Sequence, residues 1–444
     1  MARKKDLKIR PHAAHGKVDP KPADTPRPAA LHPADPRPEE PRPADPVPLQ
    51  RPAPDAAPRL EEVRPKRRRR RSLVWTVLSR LVLLGVLGVG GFLLWQHWDD
   101  LAPESFVVWI EDKLSGGGGG DGFPVDVAGG SVQHIAPLGD HIALLSDTAF
   151  TVLNDRGGEL VRRPHMYSTP LMKTAGAYAL LAESGGTRVS LETRSKTVWS
   201  KTLENAIVSA AVGRNGTAVV ITQSSQGAIA DLLAFDRKGR ELYRRSLSSY
   251  VVDAAVSPAG DRIALISVGA AGGAMQSTLE VFTLQADESP VLSYTGADVM
   301  LCAVGVLGDG RIAAVGDTAL WMADETTGTV VQKDYGGQQL LGYAFGENSA
   351  AVVSREYGAT GGGRFLLVQE DGTAAYTVDF DGEFRDMAAR EDGYVLLTGD
   401  ALRAMDPTGA GAVQAVPADG LFVCPLGRQV LVVGLTAMQA YTLG

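Results

Sequence analysis

The chain has 444 residues, among them 51 glycines, 26 prolines and only two cysteines, with a formal charge of −7. The total conceals a split: residues 1–98 carry 20 Lys+Arg against 10 Asp+Glu, and residues 99–444 carry 24 against 41. Two well-separated cysteines exclude a disulfide framework and a CxxC metal pair, and the acidic larger part argues against nucleic acid and bare anionic lipid as partners.

Residues 1–65 are dense in Pro, Ala, Arg and Asp and carry a loose repeat, ADTPRP from Ala23, ADPRP from Ala34 and ADPVP from Ala44. A segment with so few aromatic or β-branched residues cannot bury enough surface to offset its ordering entropy, so a disordered, polyproline-rich tail is expected. Residues 66–71, Lys66 followed by Arg67 to Arg71, precede an apolar run from Leu73 to Trp95 whose one charge is Arg80. Twenty-three such residues suffice to span a bilayer of roughly 30 Å. A cleaved signal peptide fits poorly, because the basic run lies deep in the chain and no small-x-small site follows the apolar one. The reading over 72–98 is a signal anchor, with residues 73–95 in the membrane lipid bilayer. Positive-inside places the N-terminus in the cytoplasm and the rest outside the cell membrane, as a single-pass protein. Residues 99–121 then offer a juxtamembrane amphipathic helix from Pro103 to Leu114 and a flexible joint at Gly116 to Gly120.

From residue 122 onward a short turn signal recurs eight times between apolar runs. The signals are Gly139-Asp140, Ala175-Gly176, Asn215-Gly216, Gly260-Asp261, Asp309-Gly310, Glu347-Asn348, Asp392-Gly393 and Gly427-Arg428. Around each, two apolar strands precede a third, and a more polar fourth closes the unit. Strand repeats at this period predict an all-β fold, a β-propeller over 122–444. Blades are expected at 131–165, 168–205, 206–249, 250–296, 297–337, 338–382 and 383–418, with an eighth from Asp419. Only three strands remain for that eighth blade, and GFPVDVAGG, Gly122 to Gly130, resembles the outer strand AAYTVDFDG of blade 6. Eight blades closed by this N-terminal strand is the expected architecture, with seven as the alternative.

Closure by an outer strand orients the ring. That strand runs from the face of the A–B and C–D turns toward the face of the B–C and D–A loops, so the second face points away from the linker. Three glycine-rich B–C segments gather there: Thr222 to Ile229, Gly269 to Gln276 and Arg355 to Gly363. Gln226, Gly227, Gly272, Gly273, Met275, Arg355, Tyr357 and Arg364 are the candidate binding-face residues.

The stretch GDGFPVDVAGGSV, followed by YSTPLMKTAGAYALLAESGG, resembles an uncharacterised family of Gram-positive bacteria, classed as a domain of unknown function. The resemblance implies a single-pass protein with a propeller over Leu101 to Gly444. SLETRSKTVWSKTLE, Ser190 to Glu204, is similar to the quinoprotein-type and WD40-like repeat, with Trp199 as its tryptophan. Neither resemblance brings a catalytic residue.

No catalytic, cofactor or metal motif is found: G-x-S-x-G, Walker A, HExxH, EF-hand and the sialidase-type Asp box are all absent. His134, His141 and His165 fit no ligand spacing and are expected in turns or on the surface. Cys302 and Cys424, in the apolar runs VMLCAVGV and LFVCPLGR, are expected as buried, reduced thiols. The favoured function is a binding or scaffold module in the cell envelope, engaging a protein or glycan and not acting as an enzyme. The alternative is an envelope hydrolase or lyase acting on a glycan, with carboxylates at the channel mouth.

Overall fold

The computed structural model describes residues 120–444, apart from 128–129, 285–288, 309, 407–408 and 444. The expectations for the tail, the basic run, the anchor, the juxtamembrane helix and Gly116 to Gly119 therefore lie outside the described residues. Within them, no helix is long and apolar enough to cross a membrane.

The described strands form eight four-stranded antiparallel sheets, each built from consecutive strands except the last. Blades 1 to 7 begin with the inner strands Val132–Leu138, Pro170–Ala175, Ile207–Val212, Tyr250–Val256, Leu301–Val306, Gln339–Phe345 and Phe384–Arg390, and blade 8 with Phe422–Leu426. Their outer strands end at Pro164, Thr202, Leu247, Ala297, Asp334, Phe380 and Ala415, within a few residues of the expected boundaries. Every recurrent turn signal falls at the junction of the first and second strands of a blade, with Ala175 and Gly393 as terminal residues of those strands. The second and third strands carry the apolar load: His141–Ser146 and Ala149–Leu153 are almost wholly buried. The fourth is polar and half-open, as in Thr329–Asp334.

Stability comes from the contacts between blades. Eight apolar clusters fill the eight interfaces, and each draws side chains from two adjacent blades. Between blades 4 and 5, for example, Ile266 and Leu279 meet Leu301, Ile312 and Trp321. Trp199, on the outer strand of blade 2, lies on the C–D turn of blade 3, where a Cβ on Gly239 would come within 2.9 Å of the indole. The A–B turns add polar stitches from blade to blade: Gly139 N donates to Gly176 O at 2.7 Å, and Gly308 N to Glu347 O at 2.7 Å.

The ring closes as expected, over a shorter span. Val125–Asp126 is the outer strand of blade 8, with Val125 opposite Met438 and Asp126 opposite Ala437. Val127 N adds a bond to Thr436 O at 2.8 Å. Phe123 and Val127, beyond the pairing itself, pack into the interface between blades 8 and 1. The chain reaches this strand from the face of the A–B and C–D turns: a Cβ on Gly120 would stand 2.8 Å from the Arg156 carbonyl, in the C–D turn of blade 1. This is the proximal face, and the other is distal.

Deleting Gly122 to Gly130 removes the closing strand together with Phe123 and Val127, and should lower the thermal midpoint by about 5 °C or more. Deleting Gly116 to Gly120 removes only the joint and should leave it nearly unchanged. Equal midpoints in differential scanning calorimetry would refute closure by this strand.

Candidate functional site

All eight candidate residues lie on or beside the distal face, though not in the form expected. Gln226 and Gly227 occupy an exposed loop between Ala218–Gln223 and Ala230–Phe235 of blade 3, where Ser224 Oγ accepts from Gln226 N. The stretch Gly269 to Gln276 is not a loop. The strands Arg262–Ala271 and Ala274–Thr283 continue through it in register, with Gly269 opposite Gln276 and Ala271 opposite Ala274. Only Gly272 and Gly273 turn, at φ of 62° and 84°, the left-handed pair that a tight hairpin requires. Blade 4 thus carries an exposed β-hairpin, with Met275 at 41% exposure near its tip.

Blade 6 supplies the other candidates. Arg364 is the second residue of the third strand, Gly363–Gln369, and forms an ion pair with Asp379 on the outer strand, Nε to Oδ1 at 2.8 Å. It is committed to the blade's edge, which corrects its assignment to a binding loop. Tyr357, by contrast, is 89% exposed. It borders a cleft of about 450 Å³ that Cys302, Asp317, Thr318, Gln338 and Gln339 also line, between blades 5 and 6. Arg355 lies opposite Gln339 in the sheet, and its Nε is buried with no hydrogen-bond partner. The exposed Tyr357 ring and the two carboxamides that line the cleft suit a ligand with both a flat apolar face and hydrogen-bonding groups. Among the described residues no hydrogen bond joins the segments of blades 3, 4 and 6 to one another. They share a face, not a pocket.

Cys302 is exposed, against the expectation of burial; Cys424 is buried as expected. Cys302 is the residue skipped by the register slip between Leu301 and Ala303, and so it has no partner across the ladder and opens to solvent. The Cys302 thiol donates to Val315 O at 3.3 Å. Partial burial, then the charges of Asp317 and Asp253, push its pKa up. Burial lifts the Cys424 thiol to about 12.

Two acids on inner strands escaped the sequence reading. Asp253, in blade 4, accepts from Ser209 Oγ of blade 3 at 3.0 Å and from Val304 N of blade 5 at 3.2 Å. Lys173 of blade 2 stands 3.7 Å from the same carboxylate. Asp386, in blade 7, accepts from Val423 N of blade 8 and from Met387 N, both at 2.9 Å. Burial raises its pKa to about 6, although those two N–H bonds favour the ionised form. Both follow a register slip in their inner strands, between Val251 and Asp253 and between Phe384 and Asp386. For Asp253 the signal was legible, an aspartate within the otherwise apolar inner strand YVVDAAV; Asp386, in FRDMAAR beside Arg385, had no such contrast. Each carboxylate holds the main chain of the next blade, so the two do not form an acid–base pair.

Two of the histidines fall as expected, at the surface or in a loop. His134 is exposed on the inner strand of blade 1, where partial desolvation and then Lys173 lower its pKa. His165 is 3.0 Å from Ser146 O through Nε2 and stacks on Tyr167. Among the described residues no three His, Cys, Asp or Glu side chains are grouped to hold a metal.

A family described as of unknown function, DUF5711, matches residues 125–417. No curated protein matches the sequence. Several solved structures resemble the chain. Hydrazine synthase of Kuenenia stuttgartiensis is 13% identical over 62% of this chain and 95% of that one, with a TM-score of 0.43. BamB of Moraxella catarrhalis is 12% identical over 61% and 96%, at 0.34. The Pan2 WD40 domain of Neurospora crassa is 10% identical over 70% and 89%, at 0.44.

A maleimide applied to the folded chain should modify Cys302 and spare Cys424; peptide mapping that finds the reverse would overturn the inner-strand assignment. The second expectation concerns pH. The Asp386 carboxyl binds its proton more tightly folded than unfolded, so its contribution to stability is present at low pH and lost as pH rises toward about 6. Relative to Asp386→Asn, the wild type should gain about 1 kcal/mol between pH 7 and pH 5 in urea unfolding. Parallel pH profiles for the two proteins would contradict this.

Proposed function

The chain belongs to the DUF5711 family, and we propose that it is a membrane-anchored propeller that binds a protein or glycan of the cell envelope through its distal face. One observation carries the reading. The described chain comes in at the proximal face, while Tyr357, Arg355, the blade 4 hairpin and the blade 3 loop all lie at the other. Joined to the signal anchor read from Leu73 to Trp95, this arrangement would turn the exposed Tyr357 away from the bilayer. Rigid blades presenting variable segments on one side are a usual basis for recognition. An envelope hydrolase or lyase finds less support, since Asp253 and Asp386 are engaged by main-chain N–H groups of the following blades.

A photo-crosslinking residue at position 357 of the full chain, in intact envelopes, should yield a discrete adduct. Replacing Gly269 to Gln276 and 356–362 by Asn-Gly turns should abolish adducts from crosslinkers placed elsewhere on the distal face, while shifting the thermal midpoint by no more than about 2 °C. Capture that survives both replacements and disappears on changing proximal turns would place the binding face on the wrong side.

A further inference from the structure

The proximal face divides its charge by sector. Turns of blades 2 and 3 present Arg194, Lys196, Arg214, Arg237, Lys238 and Arg240, and turns of blades 5 to 7 present Glu325, Glu347, Glu370, Asp371, Glu391 and Asp392. Within the basic sector lies a cleft of about 940 Å³ between blades 3 and 4, rimmed by Tyr178 of blade 2. Its walls are the A–B and C–D turns of blade 3 and the A–B turn of blade 4. Asn215 Nδ2 donates to Ala259 O at 2.8 Å and ties the two A–B turns together. Gly216, at φ 84°, has no side chain, so that the Tyr178 ring and Arg237 Cβ both come within 3.0 Å of where a Cβ would stand.

The acids lining this cleft are already engaged. Asp236 accepts from the main chain of Lys238 and Arg240 through Oδ1 and from Arg240 Nε through Oδ2 at 2.7 Å. Asp261 accepts from Ser257 Oγ at 2.8 Å. Arg262, next to it, pairs with Glu325 across the interface to blade 5. The side chains of Arg214, Arg237 and Lys238 have neither ion pair nor hydrogen bond among the described residues, and all three line the same space. With Asp236 paired to Arg240 and Asp261 bonded to a neutral hydroxyl, the lining keeps two more cations than acids, and an anion placed among Arg214, Arg237 and Lys238 lowers their repulsion and gains charge-assisted bonds. Two guanidinium groups and an ammonium match the several oxygens of a phosphate better than the two of a carboxylate. Leu242, half exposed, Leu284 and the Tyr178 ring border the cleft and offer apolar contact to whatever the phosphate is attached to.

We propose that this cleft between blades 3 and 4 binds a phosphate ester through Arg214, Arg237 and Lys238. Two sources share that chemistry, the phosphodiester of a lipid headgroup and a soluble organic phosphate. The cleft's chemistry does not depend on the anchored reading; only the headgroup source does.

The test uses the full chain in nanodiscs and reads the rate at which an N-hydroxysuccinimide ester acylates Lys238, by mass spectrometry. In phosphatidylcholine discs, glycerol 3-phosphate at twice its dissociation constant should slow acylation about threefold. Discs containing phosphatidylglycerol should slow it without added ligand if the headgroup is the source. Either protection should be lost in the Arg214→Gln, Arg237→Gln variant, with an unchanged thermal midpoint confirming that its fold is intact. Protection in the soluble arm alone assigns a soluble ester, and protection in the lipid arm alone assigns a headgroup. No protection in either arm overturns the proposal. So does protection that persists in the variant, or that potassium chloride reproduces at matched ionic strength.

Discussion

Two residues of antiparallel pairing, Val125 and Asp126 against Met438 and Ala437, hold the ring shut, and the rest of the architecture depends on them. A propeller has no single core: its apolar burial is divided among interfaces that each need both neighbours. The last interface, between blades 8 and 1, gathers Ile135, Ile142 and Leu144 from one side and Leu431, Val433 and Met438 from the other. Phe123 and Val127 flank the closing strand and seal that cluster. Without the strand, Ala437–Thr442 would present an open edge, which is both a loss of ladder bonds and an invitation to pair with another chain. The same strand sets direction, because an outer strand can run only one way between the two faces. Face identity, and so every functional argument above, follows from a pairing of two residues.

Around the channel the constraint is different. Inner strands must pack laterally against two neighbours while leaving one side open, and register slips let them do so. An acid here is costly unless its oxygens are satisfied. Asp253 meets that condition by linking blades 3, 4 and 5, with Lys173 of blade 2 beside it. Asp386 meets it by joining blades 7 and 8. The carboxylates that sequence reasoning would have looked for as catalysts are cross-links between inner strands. Asp386 retains a raised pKa because two N–H donors do not fully offset its burial.

The sequence revealed the blades well and the surfaces poorly, for identifiable reasons. Turn signals such as Gly139-Asp140 and Gly427-Arg428 need left-handed glycine between two buried strands, a local requirement that leaves a local trace. GAAGGAMQ was misread because small residues carry no alternation: Ala270 opposite Met275 pairs by backbone alone, and only Gly272 and Gly273 truly turn. Arg364 could be placed near a loop but not paired, since Asp379 approaches it from a strand fifteen positions on. Cys302 was misplaced because nothing in VMLCAVGV marks the register slip between Leu301 and Ala303 that leaves it unpaired and open. The cleft holding Tyr357 joins residues from two blades, Cys302 and Asp317 of blade 5 with Gln338 and Gln339 of blade 6, and no spacing rule connects them.

Net charge illustrates the same limit. An acidic propeller argues against anionic partners only if its charge is evenly spread, and here the proximal face is basic over blades 2 and 3 and acidic over blades 5 to 7. Debye screening at physiological salt confines each sector's field to roughly 8 Å, so a ligand in the cleft between blades 3 and 4 senses Arg214 and Lys238 far more than Asp392. The distal cleft sits between blades 5 and 6, on the opposite face, and shares no lining residue with the basic one. Sites so separated contribute additively unless a rigid element joins them. Asp253, on the inner strand of blade 4, approaches only the distal one: it bonds to blade 5 through Val304, two residues from Cys302. Its charge already acts on the Cys302 thiol. Among the described residues none that lines the basic cleft bonds to Asp253, so ligands in the two clefts should act independently.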